Sequence, residues 1–264
     1  PNGKGSATPV IMCTVVILRR PKHRWPLLLG ANRDEQLSRP WKAPGRHWPD
    51  RPDVVAGLDE LGGGSWMGIN DFGVAACILN RRGTLGPQDG KLSRGEIVLD
   101  ALDHSDAMAA AESLEDLDGR AFRDFNLVIA DNRDAYWLKL DTSSSDRVSV
   151  NEIPEGLSML TAGDMNDDTS PRIAAFRPQF ETVETPKPDQ DDWTAWKTLL
   201  ASGPLANALS VAMCFHTEAG FGTSSSTLAA LPSIDGAVAD PPQRLKWLFA
   251  EGPPDSAPFE PVAQ

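Results

Sequence analysis

Residues able to do nucleophilic chemistry gather near the start of the chain. Cys13 sits in Met12-Cys13-Thr14, and Asn32-Arg33-Asp34-Glu35 follows about twenty positions on. Both fall at apolar runs, 13–20 and 26–31, that read as neighbouring strands. A hairpin between them would set a thiol beside a guanidinium and two carboxylates. A nearby cation favours thiolate, the nucleophilic form. If Met12 is the true start and is removed, Cys13 becomes the N-terminal residue. Its α-amine, with a reference pKa of ~7.7–8.0, could then act as base for a thiol whose reference is ~8.5. The plain alternatives are a buried cysteine acting as a small hydrophobe and a charged quartet that is a solvated turn.

The elements that must position these residues are short strands divided by turns. Apolar runs at 54–58, 65–70 and 73–80 are separated by Arg51-Pro52-Asp53 and Gly62-Gly63-Gly64. The triple glycine suits a tight turn or a close backbone approach. Ser93-Arg94-Gly95-Glu96 has the spacing of a capping box and leads into Ile97, Val98, Leu99 and Leu102 at helical spacing. A second helix is expected over 106–117, and strands over 125–130, 135–140, 147–153 and 157–161. Pro171 suits the first turn of a helix reaching Phe180. Residues 182–191 read as an exposed loop, followed by a helix to Leu200 and by strands near 209–215 and 222–231. Strands and helices without strict alternation give an α+β protein with antiparallel sheet.

The ordered set of motifs resembles the NRDE family, which includes the transport and Golgi organisation protein 2 group. The set runs from Met12-Cys13 and the Asn-Arg-Asp-Glu quartet through Arg39-Pro40-Trp41 and Gly63-Gly64-Ser65-Trp66-Met67-Gly68. It continues with Gly73 to Arg81, Arg94-Gly95, Phe125-Asn126-Leu127 and Phe221 to Ser226. The resemblance implies an N-terminal nucleophile (Ntn) hydrolase-like fold, a four-layer αββα sandwich of two antiparallel sheets. By similarity to the cysteine branch of that class, which includes penicillin V acylase and bile salt hydrolase, Cys13 would be the nucleophile. Arg33 and Asp34 would be its neighbours, and Asn80 would bind the oxyanion. Those acylases carry a second asparagine after a Leu-Thr pair, where Leu160-Thr161 here precedes Ala162-Gly163. They also carry a late arginine, with no counterpart near His216–Thr227. Some NRDE proteins are linked to haem trafficking, so the fold alone leaves function open.

Composition narrows the partners. The 264 residues are 41% hydrophobic, enough for one domain over 12–252. Residues 1–11 read as a leader or tag remnant and 253–264 as an extended tail. A net charge of −12 argues against nucleic acid and anionic membrane surfaces. No apolar run approaches the ~20 residues of a membrane span. Three cysteines without paired spacing suggest a reducing, cytoplasmic setting. No metal is expected: the histidines lack zinc spacing, and Asp164-Met165-Asn166-Asp167-Asp168 lacks the glycine and closing glutamate of a calcium loop. Trp41, Trp48 and Trp66 could wall an apolar pocket or simply pack.

Two readings of function follow, with a third behind them. The first is a cysteine amidohydrolase for a small-molecule linear amide, needing no cofactor. The second is a non-catalytic binder of haem or an acyl lipid on the same fold, with Cys13 as a soft iron ligand. The third is a scaffold whose Asn-Arg-Asp-Glu turn is a partner epitope.

Overall fold

A computed structural model describes residues 12–206 and 208–263. The expected leader, residues 1–11, lies outside the described residues. β1 (Thr14–Arg19) and β2 (Leu27–Gln36) form the hairpin that the first two apolar runs imply, with Thr14 opposite Asn32. β3 (Trp41–Gly45), β4 (Val54–Asp59), β5 (Met67–Asn70) and β6 (Ala75–Asn80) follow as an antiparallel meander. After α1 (Gly95–Leu102) and α2 (Ala107–Glu115) come β7 (Phe125–Ala130), β8 (Ala135–Asp141), β9 (Ser145–Glu152) and β10 (Gly156–Leu160). The chain closes with α3 (Pro171–Thr182), α4 (Thr194–Leu200), β11 (Phe221–Leu231), α5 (Ile234–Ala237), β12 (Lys246–Ala250) and β13 (Phe259–Pro261).

These strands make two antiparallel sheets, in the orders β10-β1-β2-β11-β12-β13 and β3-β4-β5-β6-β7-β8-β9. The period of two along each strand decides the layers. Val15, Ile17, Leu27 and Leu29 face the other sheet and pack on Val55, Ile69 and Val128. Their neighbours Val16 and Leu28 face outward, onto Ile173 and Phe176 of α3 and Trp196 of α4. The outer face of the second sheet carries α1 and α2 on Ala76, Leu127 and Ile129. The result is a four-layer αββα sandwich of α+β class. Among the described residues no helix is long and apolar enough to cross a membrane.

Local chemistry differs from expectation in three places. The Ser93-to-Glu96 capping box does not form: Arg94 is the N-cap residue without a side-chain cap, and the Ser93 hydroxyl accepts from the Gly95 N–H at 3.3 Å. The entry to α1 is fixed instead by the β4–β5 connection. Ser65 N–H donates to Gly95 O at 3.1 Å, and a Cβ on Gly64 would lie 2.3 Å from the Gly95 carbonyl carbon. The strand expected at 209–215 is replaced by a 3-10 turn, Leu209–Val211, and irregular chain. Its backbone is spent elsewhere: the Met213 and Cys214 N–H groups both donate to Ser202 O, and Met213 O accepts from Asn32 Nδ2. Beyond Gly252, where an extended tail was expected, the chain turns back and Phe259–Pro261 pairs with β12 as the edge strand.

Candidate active site

Cys13 directly precedes β1 and has the same parity as Val15 and Ile17, so it packs into the layer between the sheets. Its Sγ accepts from the Asp34 N–H at 3.3 Å and donates to the Asp34 carbonyl at 3.5 Å. The β1–β2 pairing therefore seats the thiol against the backbone of the Asn-Arg-Asp-Glu segment. Burial pushes the thiol pKa up to about 12, helped by the Asp34 charge. The Asp34 N–H and Arg33 pull the other way without prevailing.

Alternation along β2 separates the next two residues. Arg33 points between the sheets, with its guanidinium carbon 4.3 Å from the Trp66 ring centre. Cation–π attraction is strongest over tryptophan. Asp59 completes the arrangement, 3.5 Å from Arg33 and 2.6 Å from Arg39. Trp66 lies so close to Gly57 that a Cβ there would meet the indole at 2.4 Å. Asp34 points the opposite way, into the helix layer, where it is buried. Its Oδ2 accepts from Arg172 of α3 at 3.0 Å and its Oδ1 from the Thr223 hydroxyl at 2.8 Å. Burial pushes its carboxyl above the usual range against the lowering effects of Arg172 and Thr223.

Arg172 ties this network to the nucleophile's own peptide. The same Nη1 that meets Asp34 lies 2.5 Å from Met12 O and 2.7 Å from Thr14 Oγ1. Its Nη2 is buried and has no partner among the described residues. The sequence gives no sign of Arg172 as a site residue: it lies in an ordinary helical stretch and meets Asp34 across 138 positions. Thr223 is legible only through the Phe221–Ser226 motif. A β-bulge between Thr223 and Ser225 re-aims it, a device common beside active sites.

Asn80, the last residue of β6, reaches the same cleft as Cys13 and Arg33. Its side-chain amide makes no hydrogen bond among the described residues. The cleft has a volume of about 430 Å³ and is bounded on its outer side by the segment from Gly86 to Gly95. A smaller recess of about 20 Å³ continues behind Cys13 toward Cys77 and Phe249. Trp41 packs edge-on against both Trp66 and Phe249, so it belongs to this aromatic wall, whereas Trp48 packs against the α1–α2 core instead. Among the described residues no cluster of His, Cys, Asp or Glu could hold a metal ion.

The double sheet between helix layers, with a cysteine at the start of its first strand, defines an Ntn-hydrolase fold. Solved structures similar in this double-sheet architecture include the following two. One is the Caenorhabditis elegans N-acylethanolamine-hydrolyzing acid amidase ortholog (TM-score 0.55, 14% identity, 82% of this chain and 92% of that one). The other is a variant of conjugated bile acid hydrolase from Clostridium perfringens (TM-score 0.51, 12% identity, 96% and 97%). At such identities the likeness establishes the fold alone. The profile of the Transport and Golgi organisation 2 family matches residues 12–228, and the chain belongs to that family. It is 36% identical over 116 residues to the human Transport and Golgi organization protein 2 homolog, covering 42% of this chain and 40% of that protein. The mouse homolog is 31% identical over 131 residues, covering 48% and 44%. The chain thus matches less than half the length of these curated relatives.

Proposed function

We propose that the cleft hydrolyses a small linear amide, with Cys13 as nucleophile once the chain through Met12 is removed. The observation that carries this is the joint position of the thiol, the Arg33 guanidinium and the unengaged Asn80 amide around one cleft. In the reaction, Sγ attacks the amide carbonyl carbon and the carbonyl π-electrons move to oxygen. Asn80 stabilises that oxyanion, a contribution of ~2.7–4 kcal/mol for a well-placed donor. The thiol proton passes through the freed α-amine to the departing nitrogen, the C–N bond breaks and an amine leaves. Water then attacks the thioester, yielding a carboxylic acid and regenerating the thiol. Arg33 favours the thiolate. Asp34 and Arg172 are positioning residues that hold the peptide on which the α-amine would appear. The compounds processed by the two structural neighbours, N-acylethanolamines and conjugated bile acids by their names, make N-acylated amines the first substrates to test.

The test is an amide screen by amine-release assay with protein whose intact mass verifies Cys13 as first residue. Turnover should vanish in Cys13→Ala and fall about 10²–10³-fold in kcat in Asn80→Ala. Turnover that survives Cys13→Ala would remove the cysteine from the mechanism.

A second reading is favoured by one observation: with Met12 attached, the thiol is pushed up to about 12 and lacks a base. In that form the cleft would bind an acyl lipid without turnover, or haem, whose iron would have to displace the thiol proton to be ligated by Cys13. A haem titration with a saturable Soret shift that Cys13→Ala abolishes supports the haem form, and no shift rejects it.

A further inference from the structure

One side of the cleft carries three cations that form no ion pair with a carboxylate among the described residues. Arg94 donates only to Thr84 Oγ1 and to the carbonyls of Asp124 and Gly86. Arg123 donates only to the carbonyls of Gly83, Leu85, Gly86 and Pro87. Lys91 Nζ meets only Arg120 O, at 2.6 Å. No carboxylate among the described residues lies within ion-pair distance of any of the three. All three are half-buried and line the same cleft as Cys13. This contrasts with the other two cleft cations, Arg33 and Arg39, which share Asp59 and Glu35.

In a chain of net charge −12, these three cations share one cleft without an ion pair. Half-buried guanidiniums side by side repel each other and forgo hydration. Burial, with the Arg123 charge second, lowers the Arg94 pKa to about 10. Backbone carbonyls fix the guanidinium planes and so prepare them for an anion at little further cost in order. Arginine matches carboxylate and phosphate oxygens in a bidentate manner. On the rim beside them Leu61 and Leu92 stand 68% and 63% exposed, an apolar edge suited to an acyl chain.

We propose that the substrate is an acyl amide bearing an anionic group, a carboxylate or a phosphate, held by Arg94, Arg123 and Lys91. This rests on the reading of the cleft as an amidohydrolase site and adds the charge class of its substrate. The test is run on Cys13→Ala protein, so that binding is read whether or not the wild type turns anything over. Calorimetric titrations at low salt compare N-decanoylethanolamine, N-decanoylglycine and N-decanoyl-O-phosphoethanolamine, which share a chain and differ in charge. At least one anionic probe should bind about tenfold more tightly than the neutral one, the order expected of one charge-assisted bond. That advantage should shrink with added salt and be lost in Arg123→Gln and in Lys91→Gln. Which anion binds best separates carboxylate from phosphate. Arg94→Gln and Arg123→Gln are each read beside a thermal melt, because both guanidiniums also brace the 83–87 loop, and Lys91→Gln, with one carbonyl contact, carries the decision if either melt shifts. Equal affinities for all three probes, no saturable binding of either anion, or an anionic advantage that survives both Arg123→Gln and Lys91→Gln would overturn the proposal.

Discussion

The chemistry of the site turns on a cysteine whose surroundings oppose each other. Arg33 favours the thiolate, but burial and the Asp34 charge prevail while Met12 is attached. While Met12 is attached the thiol therefore stays protonated at pH 8. Removing Arg33 takes away a lowering influence, so alkylation of Cys13 in Arg33→Met should be slower still at every pH below 12, read by peptide mass spectrometry. Asp34 and Arg172 form the buried pair beneath the site, with side chains 0% and 4% exposed. Asp34→Asn strands a buried guanidinium, and Arg172→Met strands a buried carboxylate. Each should cost about 3–5 kcal/mol in urea unfolding, and the double substitution less than their sum. Cys13, Arg33 and Asp34 were legible as candidates from residue type and spacing, and Asn80 only through the family resemblance. The divergence of Arg33 and Asp34 was legible in principle, since neighbours on a strand face opposite ways. Arg172 was not, because a contact across 138 positions leaves no local trace.

At the scale of elements, the strands were readable where two-residue alternation and turn chemistry agreed, as in the β1–β2 hairpin and the β4–β6 meander. Reading failed where a segment's backbone groups are claimed by distant partners. Residues 209–215 have strand-like apolar content, but Ser202 O and Asn32 Nδ2 take their polar groups. Likewise Ser93 has the right residue three places on, but the contact between Gly64 and Gly95 sets the path into α1. That contact also fixes Arg94 at the edge of the cleft. Gly64→Val would force α1 from the β4–β5 connection and should cost about 1–3 kcal/mol, the range for overpacking a close-packed site. Gly57→Ala should displace Trp66 and alter the tryptophan emission, with a smaller loss of stability than Gly64→Val.

For the whole molecule, the sandwich carries an acidic chain whose cleft concentrates cations on one wall. Family and fold are established by the sequence profile and the sheet architecture; the activity follows only if the thiol becomes reactive when its amine is free. The measurement that bears on this most directly is the pH–rate profile for iodoacetamide alkylation of Cys13. It compares protein retaining Met12 with protein that begins at Cys13, and Cys77 and Cys214 serve as internal buried references. With Met12 attached, the rate should stay low through pH 9 and climb only toward pH 12. With the amine free, Cys13 should react at pH 7–8 far faster than either reference, because the α-amine titrates there and can take the thiol proton. A processed Cys13 as slow as Cys77 at neutral pH would contradict the account and leave ligand binding as the function of the cleft.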